Sequence, residues 1–264
     1  MPEGHTIHRA AQDQRPLLVG AALEVSSPQG RFAEGAEQLN GKRCTGIEAY
    51  GKHLLYHFAS QDTLHIHLGL YGRFRLAKAP VPDPQGAVRV RMLSSKHGVD
   101  INGPNTCEIL DPAQVSALAA RIGPDVLRAD ADPERAWSRI SKSRTGIGQL
   151  IMDQAVMAGV GNIYRSEILW RQRLHPDTSG QSLNRTTFDR LWHDSATLLA
   201  IGVRENAIIT NENSLAATSK YGERVNIFEK SHCPACEGPI LKTEIAGRRA
   251  FICENCQPKT DNCA

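Results

Sequence analysis

The sequence contains no apolar run near the length of about 20 residues that a membrane-spanning helix requires, and its N-terminus has no signal-peptide layout. It also contains no internal repeat and no low-complexity tract. We therefore expect an intracellular, cytoplasmic globular protein without a membrane partner. The net charge is only +3, so composition alone is weak evidence for a nucleic-acid partner.

A length of 264 residues with 41% hydrophobic and 22% charged residues suits one large domain or two ordinary ones. Between Arg139 and Arg190, eight basic residues face four acidic ones, a local excess of +4. Such an excess is also typical of an ordinary solvated surface.

Residues 20–110 read mainly as strands separated by glycine-containing turns, with "KHGVDINGPN" as a loop. These strands predict two packed sheets. Helical patterns begin at "LDPAQVSALAARIG", which ends at Gly123, and a further helix is predicted to start at Pro133. The chain then predicts a helix in "TGIGQLIMDQAVMAG" that ends at Gly159, one from "NIYRSEILWRQRL" and one over 184–206.

Four of the seven cysteines form two Cys-x-x-Cys pairs with sixteen residues between them: Cys233, Cys236, Cys253 and Cys256. This spacing is typical of a structural zinc site, in which four thiolates leave no position open for catalysis. A redox pair is the alternative. Cys44 and Cys107 are predicted to be buried free thiols, and Cys263 lies on a polar tail.

The segment between the cysteine pairs predicts a β-hairpin with "AGRRA" at its tip, from which Arg248 and Arg249 project. Two cations on a rigid base suit a phosphate or a flipped nucleotide, although a solvated turn is the alternative. In "AGVGNIYRSEILW", glycines allow a close backbone approach, and Asn162 can cap the helix behind it. A helix start of this kind attracts phosphate, but a plain helix-packing turn has the same glycines.

Two turns of the strand region carry further candidates. Lys52 follows Gly51 in "AYGKHLLYHF" and can reach a cleft from a sheet edge, although most lysines at such places only solubilise. In "HLGLYGRFR", Leu70 and Tyr71 lie between two glycines, and exposed apolar residues at a hairpin tip can wedge into a base stack. A turn that faces the core is the alternative.

The N-terminus "MPEGHTIHRA" predicts an amphipathic helix, for which proline and an acid are ordinary first residues. A second interpretation is chemical. Removal of Met1 would leave Pro2 with a free secondary amine, and α-amines have a pKa of about 7.7–8, far below the about 10.4 of lysine. Such an amine can attack a sugar C1′ and form a cationic iminium, with Glu3 placed to exchange protons.

Taken together, "MPEG", "GKHLL", "GVGNIY" and the terminal four-cysteine motif with Arg248 resemble the formamidopyrimidine-DNA glycosylase/endonuclease VIII family over nearly the whole chain. The resemblance implies an α+β fold: an N-terminal β-sandwich, a helical helix–two-turn–helix domain and a zinc-finger hairpin, with DNA in the cleft between. It implies the domains 1–124, 135–226 and 227–264, with a linker at 125–134.

The resemblance also implies roles for single residues. Pro2 is the nucleophile, Glu3 the acid/base and Lys52 a contact to the phosphate of the damaged nucleotide. Asn162 and Arg248 clamp phosphates. Arg249, from its place on the hairpin rather than from the resemblance, is expected to be a further DNA contact. Glu167, on the helix behind Asn162, is interpreted as a structural residue that orients loops.

The implied function is a bifunctional DNA glycosylase and abasic-site lyase of base excision repair, a zinc-containing monomer that acts near the nucleoid on damaged duplex, bubble or single-stranded DNA. Oxidised pyrimidines are the expected substrates, because the turn carries Leu70 and Tyr71 as in endonuclease VIII and "KHGVDINGPN" has no Arg-Phe pair. The alternatives are an oxidised-purine glycosylase of the same family and a non-catalytic damaged-DNA-binding protein. A metal-dependent nuclease is disfavoured, because His65 and His67 alternate on a strand as one face of a sheet.

Overall fold

The structure, a computed structural model, describes residues 2–211, 213–214 and 220–259. Met1 and Cys263 lie outside these ranges. The chain divides into two compact units, Met1–Arg121 and Ile122–Ala264. Among the described residues, no helix is both long and apolar enough to cross a membrane.

The described part of the N-terminal unit, residues 2–121, contains eight strands and three helices. The strands are β1 (Glu24–Ser26), β2 (Cys44–Tyr50), β3 (His53–Phe58), β4 (Thr63–His67), β5 (Arg73–Lys78), β6 (Val88–Leu93), β7 (His97–Asn102) and β8 (Thr106–Leu110). The helices are α1 (Gly4–Leu18), α2 (Ala33–Leu39) and α3 (Pro112–Arg121).

The strands pair antiparallel in two four-stranded sheets, ordered β1-β6-β7-β5 and β2-β3-β4-β8. One apolar core is shared by both sheets and by α1, which contributes Ile7, Ala11 and Leu18. On β3, Leu54 and Tyr56 point into this core, whereas His53 lies on the opposite face, as the period of two along a strand requires. The predicted two-sheet sandwich is confirmed.

Two details of the N-terminal unit differ from the sequence prediction. The segment "KHGVDINGPN" is not a loop, because His97–Asn102 form β7, which pairs with strands on both sides. Two of its buried polar residues have partners there: Asp100 accepts two hydrogen bonds from Arg91 at 2.7 and 2.8 Å, and the Asn102 side-chain nitrogen donates to the Gln85 carbonyl. The helix α2 was not predicted.

The two isolated cysteines of this unit carry no disulfide. Cys44 is fully buried, as predicted, but Cys107 on β8 is only half-buried. Burial raises the pKa of the Cys44 thiol to about 11 and that of Cys107 to about 12. Because the thiolate is the reactive form, both thiols are poor nucleophiles at neutral pH.

The described part of the C-terminal unit is mainly helical and ends in a hairpin. Its elements are α4 (Pro133–Ile140), α5 (Ile147–Leu150), α6 (Asn162–Arg171), a 3₁₀ turn (Gly180–Ser182), α7 (Arg185–Glu205), α8 (Tyr221–Arg224), β9 (Leu241–Ile245) and β10 (Arg248–Ile252). Helix α4 starts at Pro133 as predicted, with the Asp132 side chain accepting from the Glu134 N–H. Helix α7 begins after Asn184, whose side chain accepts from Thr187.

The helix predicted to end at Gly159 is much shorter, because α5 spans only Ile147–Leu150. Beyond α5, backbone groups are hydrogen-bonded to the Gln154 side chain instead of to each other as in a helix. The Gln154 side-chain nitrogen donates to the carbonyls of Met152 and Val160, and the side-chain oxygen accepts from the Gly159 N–H. These bonds hold a turn that leads directly into α6.

Candidate functional site

Pro2 and Glu3 stand immediately before α1, at the positive end of its dipole. Glu3 occupies the N-cap position with extended backbone, its carbonyl accepts from the Thr6 N–H at 2.9 Å, and its side chain is fully buried. Pro2 is half-buried. The residue that follows Pro2 therefore carries a carboxyl group, that of Glu3, which is shielded from solvent.

His5 is a buried neighbour of this terminus that the sequence analysis missed. Burial first, and then the positive charge of the amino terminus, lower the pKa of His5 to about 4. The ring is therefore neutral at physiological pH and adds no positive charge beside the amine. A single histidine in a first helical turn carries no sequence signal for such a role.

Lys52 lies in a two-residue turn between β2 and β3, where Gly51 has a positive φ of 58°. The charge of Lys52 is the smallest contribution to the lowered pKa values of His53 and His67, after burial and the neighbouring charged groups. The side chain is half-exposed, as expected for a residue at the end of a sheet.

His53, His65 and His67 share one face of the sheet, which confirms the interpretation of the alternating histidines. The Nδ1 of His65 contacts Glu108 Oε1 at 2.9 Å, and its Nε2 contacts His53 Nδ1 at 2.8 Å. Because a carboxylate only accepts, His65 donates to Glu108 and accepts from His53. Burial, followed by the neighbouring cations, lowers the pKa of His53 to about 3. Burial also lowers the pKa values of His65 and His67, so the three rings are neutral at physiological pH.

Leu70 and Tyr71 lie at the turn between β4 and β5 and are exposed to 42% and 90%. Gly69 has a φ of 67°, and a Cβ there would lie 2.8 Å from the Cβ of Asn105. A Cβ on Gly72 would collide with the backbone of Leu68. The glycines therefore fix a tight turn that projects the two apolar side chains into solvent, and the alternative of a core-facing turn is wrong.

In the C-terminal unit, Asn162 is the first residue of α6 and is not its cap. The N-cap is Gly161, and the Asn162 side chain instead donates to the Arg249 carbonyl at 3.0 Å. The expectation that Asn162 caps its own helix is therefore wrong, because the amide joins the helix to the hairpin. Arg165, one turn later, also bonds to this carbonyl and was not predicted.

Arg248 and Arg249 start β10 with exposed side chains. The turn before them consists of Ala246 and Gly247, both with positive φ, which is the conformation of a type I′ hairpin. Arg249 lies 3.8 Å from the Glu229 carboxylate. The predicted hairpin with two cations near its tip is present.

The four cysteines of the predicted metal site come together, with their sulfur atoms within 4.8 Å of one another. The pairs Cys233–Cys256 and Cys236–Cys253 are separated by 3.7 and 3.4 Å. A tetrahedral site with Zn–S bonds of about 2.3 Å needs sulfur separations of about 3.8 Å, so the cluster fits a closed four-thiolate centre. The indole N–H of Trp170 donates to the Cys233 sulfur at 3.3 Å, and this hydrogen bond helps to orient the Cys233 side chain.

Comparisons with known proteins agree with this architecture. Residues 1–105 match the formamidopyrimidine-DNA glycosylase N-terminal domain, and residues 122–214 match the formamidopyrimidine-DNA glycosylase H2TH domain. The Mycobacterium tuberculosis protein Endonuclease 8 1 is 42% identical over 97% of this chain and 100% of its own length. The Thermomicrobium roseum formamidopyrimidine-DNA glycosylase is 32% identical over 98% of each chain.

Among solved structures, a complex of Lactococcus lactis Fpg with DNA containing N7-benzyl-Fapy-dG matches with a TM-score of 0.82 at 24% identity, over 98% of this chain and 100% of that one. This likeness supports the fold. The α+β architecture, the two matched domains and the full-length relatives show that the chain belongs to the formamidopyrimidine-DNA glycosylase/endonuclease VIII family of DNA-repair glycosylases.

Proposed function

We propose that this chain is a bifunctional DNA glycosylase and abasic-site lyase that removes oxidised bases, with pyrimidines favoured, and cleaves the strand by β,δ-elimination. The observation that carries the proposal is the pairing of Pro2 with the fully buried carboxyl of Glu3 at the start of α1.

The position of Pro2 favours a neutral, nucleophilic amine once Met1 is removed. An α-amine has a pKa of about 7.7–8, and the positive end of a helix disfavours the protonated form. The Pro2 nitrogen attacks C1′ of the damaged nucleotide while Glu3 exchanges a proton with the ring oxygen. The glycosidic bond breaks, and its electron pair leaves with the base, which takes up a proton. The Pro2 nitrogen loses its proton, Glu3 protonates the ring oxygen as the bond between C1′ and that oxygen breaks, and a C1′ iminium remains on Pro2.

The iminium acidifies the C2′ hydrogens. Loss of one C2′ proton forms the C2′–C3′ double bond and expels the 3′ phosphate, which is β-elimination. A second proton loss, from C4′, expels the 5′ phosphate as δ-elimination, and water then hydrolyses the imine to release the amine. Damaged bases are reached outside the duplex stack, so such an enzyme must hold the flipped nucleotide by its phosphates. Lys52, Asn162, Arg248 and Arg249 are the proposed phosphate contacts.

Zinc is the metal we propose for the four cysteines, because four thiolates at tetrahedral separations suit it. A closed centre of this type provides rigidity and no open coordination position. The cysteines would hold the base of the hairpin that carries Arg248.

The preference for pyrimidines rests on the turn of Leu70 and Tyr71, which offers stacking surface and few directed hydrogen bonds to an orphaned base. The segment "KHGVDINGPN" contains no Arg-Phe pair, but most of it is the strand β7 and not the loop that we predicted from the sequence. The connection from β7 to β8 is only Gly103–Asn105. The 42% identity to a protein named Endonuclease 8 1 supports the same preference.

The deciding experiment is borohydride trapping on duplex DNA with one defined lesion. Three proteins are compared: the processed chain with free Pro2, a chain that keeps a blocked N-terminus, and processed Pro2→Gly. The free-Pro2 chain should form a reducible covalent adduct, and the blocked chain should bind without an adduct. Pro2→Gly should still trap, because it keeps an α-amine, but more slowly than the parent. Full trapping by a chain whose blocked terminus is verified by mass spectrometry would refute the proposal.

Substrate choice is tested separately. Oxidised thymine and oxidised guanine are placed opposite adenine or cytosine in one sequence, as duplex, bubble and single strand. Faster removal of oxidised guanine from the duplex would overturn the pyrimidine assignment and leave the lyase assignment standing.

A further inference from the structure

The largest fully buried side chain of the described residues belongs to Arg165, in the first turns of α6, and it is only 1% exposed. Its guanidinium donates to three oxygens. Nη2 donates to the Asn162 side-chain oxygen at 2.7 Å and to the Arg249 carbonyl at 2.9 Å, and Nη1 donates to the Ile245 carbonyl at 3.3 Å. Arg165 therefore joins the start of α6 to both strands of the hairpin.

These contacts leave the Asn162 amide only one orientation. A guanidinium can only donate and a carbonyl can only accept, so the oxygen of the amide must face Arg165 and its nitrogen must face Arg249. An amide nitrogen carries two hydrogens, and the bond to Arg249 uses one of them. The second hydrogen is thereby held in a fixed direction.

The same guanidinium fixes the turn that carries the exposed cation. Ile245 and Arg248 are register partners on either side of the two-residue turn, and Arg249 follows directly. Bonds to the Ile245 and Arg249 carbonyls hold both strands at the point from which the Arg248 side chain leaves the hairpin. The buried Arg165 thus orients the neutral Asn162 amide and also holds the part of the hairpin from which the cationic Arg248 side chain extends.

We propose that Arg165 is a positioning residue for a phosphodiester-binding site made by Asn162 and Arg248. This proposal rests on the proposed function, since it assumes that both groups contact DNA phosphates. Arg165 does not itself touch the DNA. It acts by orienting the Asn162 amide and by anchoring the hairpin, so its effect on binding must pass through these two groups.

The test compares Arg165→Met with Arg171→Met. Both arginines lie on α6 and bond to a backbone carbonyl, but Arg171 pairs with Asp194 and the Thr210 carbonyl, away from the hairpin. On duplex DNA with a stable abasic-site analogue, Arg165→Met should weaken affinity about tenfold, which corresponds to the loss of about one hydrogen bond to a charged group. The salt dependence of its affinity should also become shallower. Arg171→Met should keep the parental salt dependence.

A double-mutant cycle separates positioning from general support of the fold. If Arg165 acts through Asn162, adding Asn162→Ala to Arg165→Met should weaken binding by less than about twofold, although Asn162→Ala alone weakens it several-fold. Fully additive losses would overturn the proposal. Arg165→Lys, which keeps the charge but not the planar fork, guards against misfolding of the methionine variant. Parental affinity and salt dependence in zinc-loaded Arg165→Lys would also overturn it.

A measurement without DNA distinguishes this proposal from the proposed function. Hydrogen exchange of the Asn162 side-chain amide and of the backbone amides of residues 245–249 is followed by NMR in the zinc-loaded protein. Exchange should be faster in Arg165→Met and parental in Arg171→Met, and parental exchange in both variants would refute positioning. A parent chain that fails to bind or trap damaged DNA refutes the proposed function instead, whatever the exchange rates show.

Discussion

The carboxylate of Glu167 accepts both the backbone N–H and the side-chain amide of Asn226, at 2.8 and 3.0 Å. The same oxygen, Oε2, accepts from the Thr210 hydroxyl at 2.7 Å. The other oxygen, Oε1, accepts the backbone N–H groups of Ile227 and Phe228 at 2.9 and 2.8 Å. The side chain is fully buried. One carboxylate of α6 therefore fixes the segment that leads into the cysteine cluster, which agrees with the interpretation of Glu167 as a residue that orients loops.

Glu167→Gln should destabilise the C-terminal unit by about 2 kcal/mol or more, because hydrogen bonds to a charged group contribute about 1.5–3 kcal/mol and the new amide nitrogen would face N–H donors. Urea unfolding measures the loss. Glu229→Gln is the control, since that side chain is 49% exposed and should stay within about 0.5 kcal/mol of the parent. Equal stability of the two variants would contradict the structural role of Glu167.

Cys236→Ser should release the metal and loosen the hairpin locally, because the four-thiolate centre loses one ligand. Metal content by atomic absorption and affinity for damaged duplex DNA should fall together. Cys107→Ser is the matched control outside the cluster and should keep the parental metal content. A metal-free Cys236→Ser protein with parental DNA affinity would show that the centre does not support binding.

Arg248→Ala should leave the fold intact, because the side chain is exposed. It should weaken DNA binding and lower the slope of log affinity against log salt by about 1, as expected for one lost phosphate contact. Lys242→Ala removes an exposed cation from the neighbouring strand and should leave the slope unchanged. Identical slopes for the parent and Arg248→Ala would exclude a phosphate contact by Arg248.

Combined Leu70→Ala and Tyr71→Ala should slow excision of an oxidised pyrimidine far more than cleavage at a ready-made abasic site. The wedge is needed to replace a base in the stack, and no base remains to be displaced at an abasic site. Single-turnover rates on the two substrates give the ratio. Leu76→Ala, which truncates an exposed apolar residue on β5, should leave this ratio unchanged. Equal slowing of both reactions by the double variant would argue against a wedge.

His53 should contribute to loss of stability in acid. Its folded-state pKa of about 3 lies below the ordinary 6.5, so the unfolded chain binds the proton first as the pH falls. Its contribution is complete above about pH 6.5 and is lost between 6.5 and 3. In His53→Gln, the difference in unfolding free energy between pH 7 and pH 4.5 should therefore shrink. The exposed His193→Gln variant should show the parental difference, and the same result for His53→Gln would refute the assignment.

The parts of the fold that the sequence predicted well are those with a local cause. The spacing of the four cysteines is typical of a four-thiolate cluster. The capping Asn184 together with Asn206, which adopts a left-handed conformation, marks both ends of α7. The glycines around Leu70 and Tyr71 likewise specify a tight turn from neighbouring residues alone.

The missed features depend on side-chain contacts that residue type and spacing do not specify, some of them near in sequence and one of them far. The strand β7 contains Asp100, whose burial is favourable only because Arg91 lies opposite on β6. Helix α5 stops where a single glutamine side chain replaces helical bonds. The role of Arg165 depends on carbonyls about 80 residues away in the hairpin. No local pattern reports such contacts, so only the folded chain reveals them.

The exposure of Tyr71 has a thermodynamic consequence. With nine-tenths of the residue in water, the ring keeps an ordered hydration layer in the free protein, and an aromatic side chain of this kind can bury about 150–250 Å². Any partner that covers the ring releases this water, and release of apolar hydration lowers the heat capacity of the complex. Binding of a partner to the turn between β4 and β5 should therefore give a negative heat-capacity change. This change should become smaller in magnitude when Tyr71 is truncated.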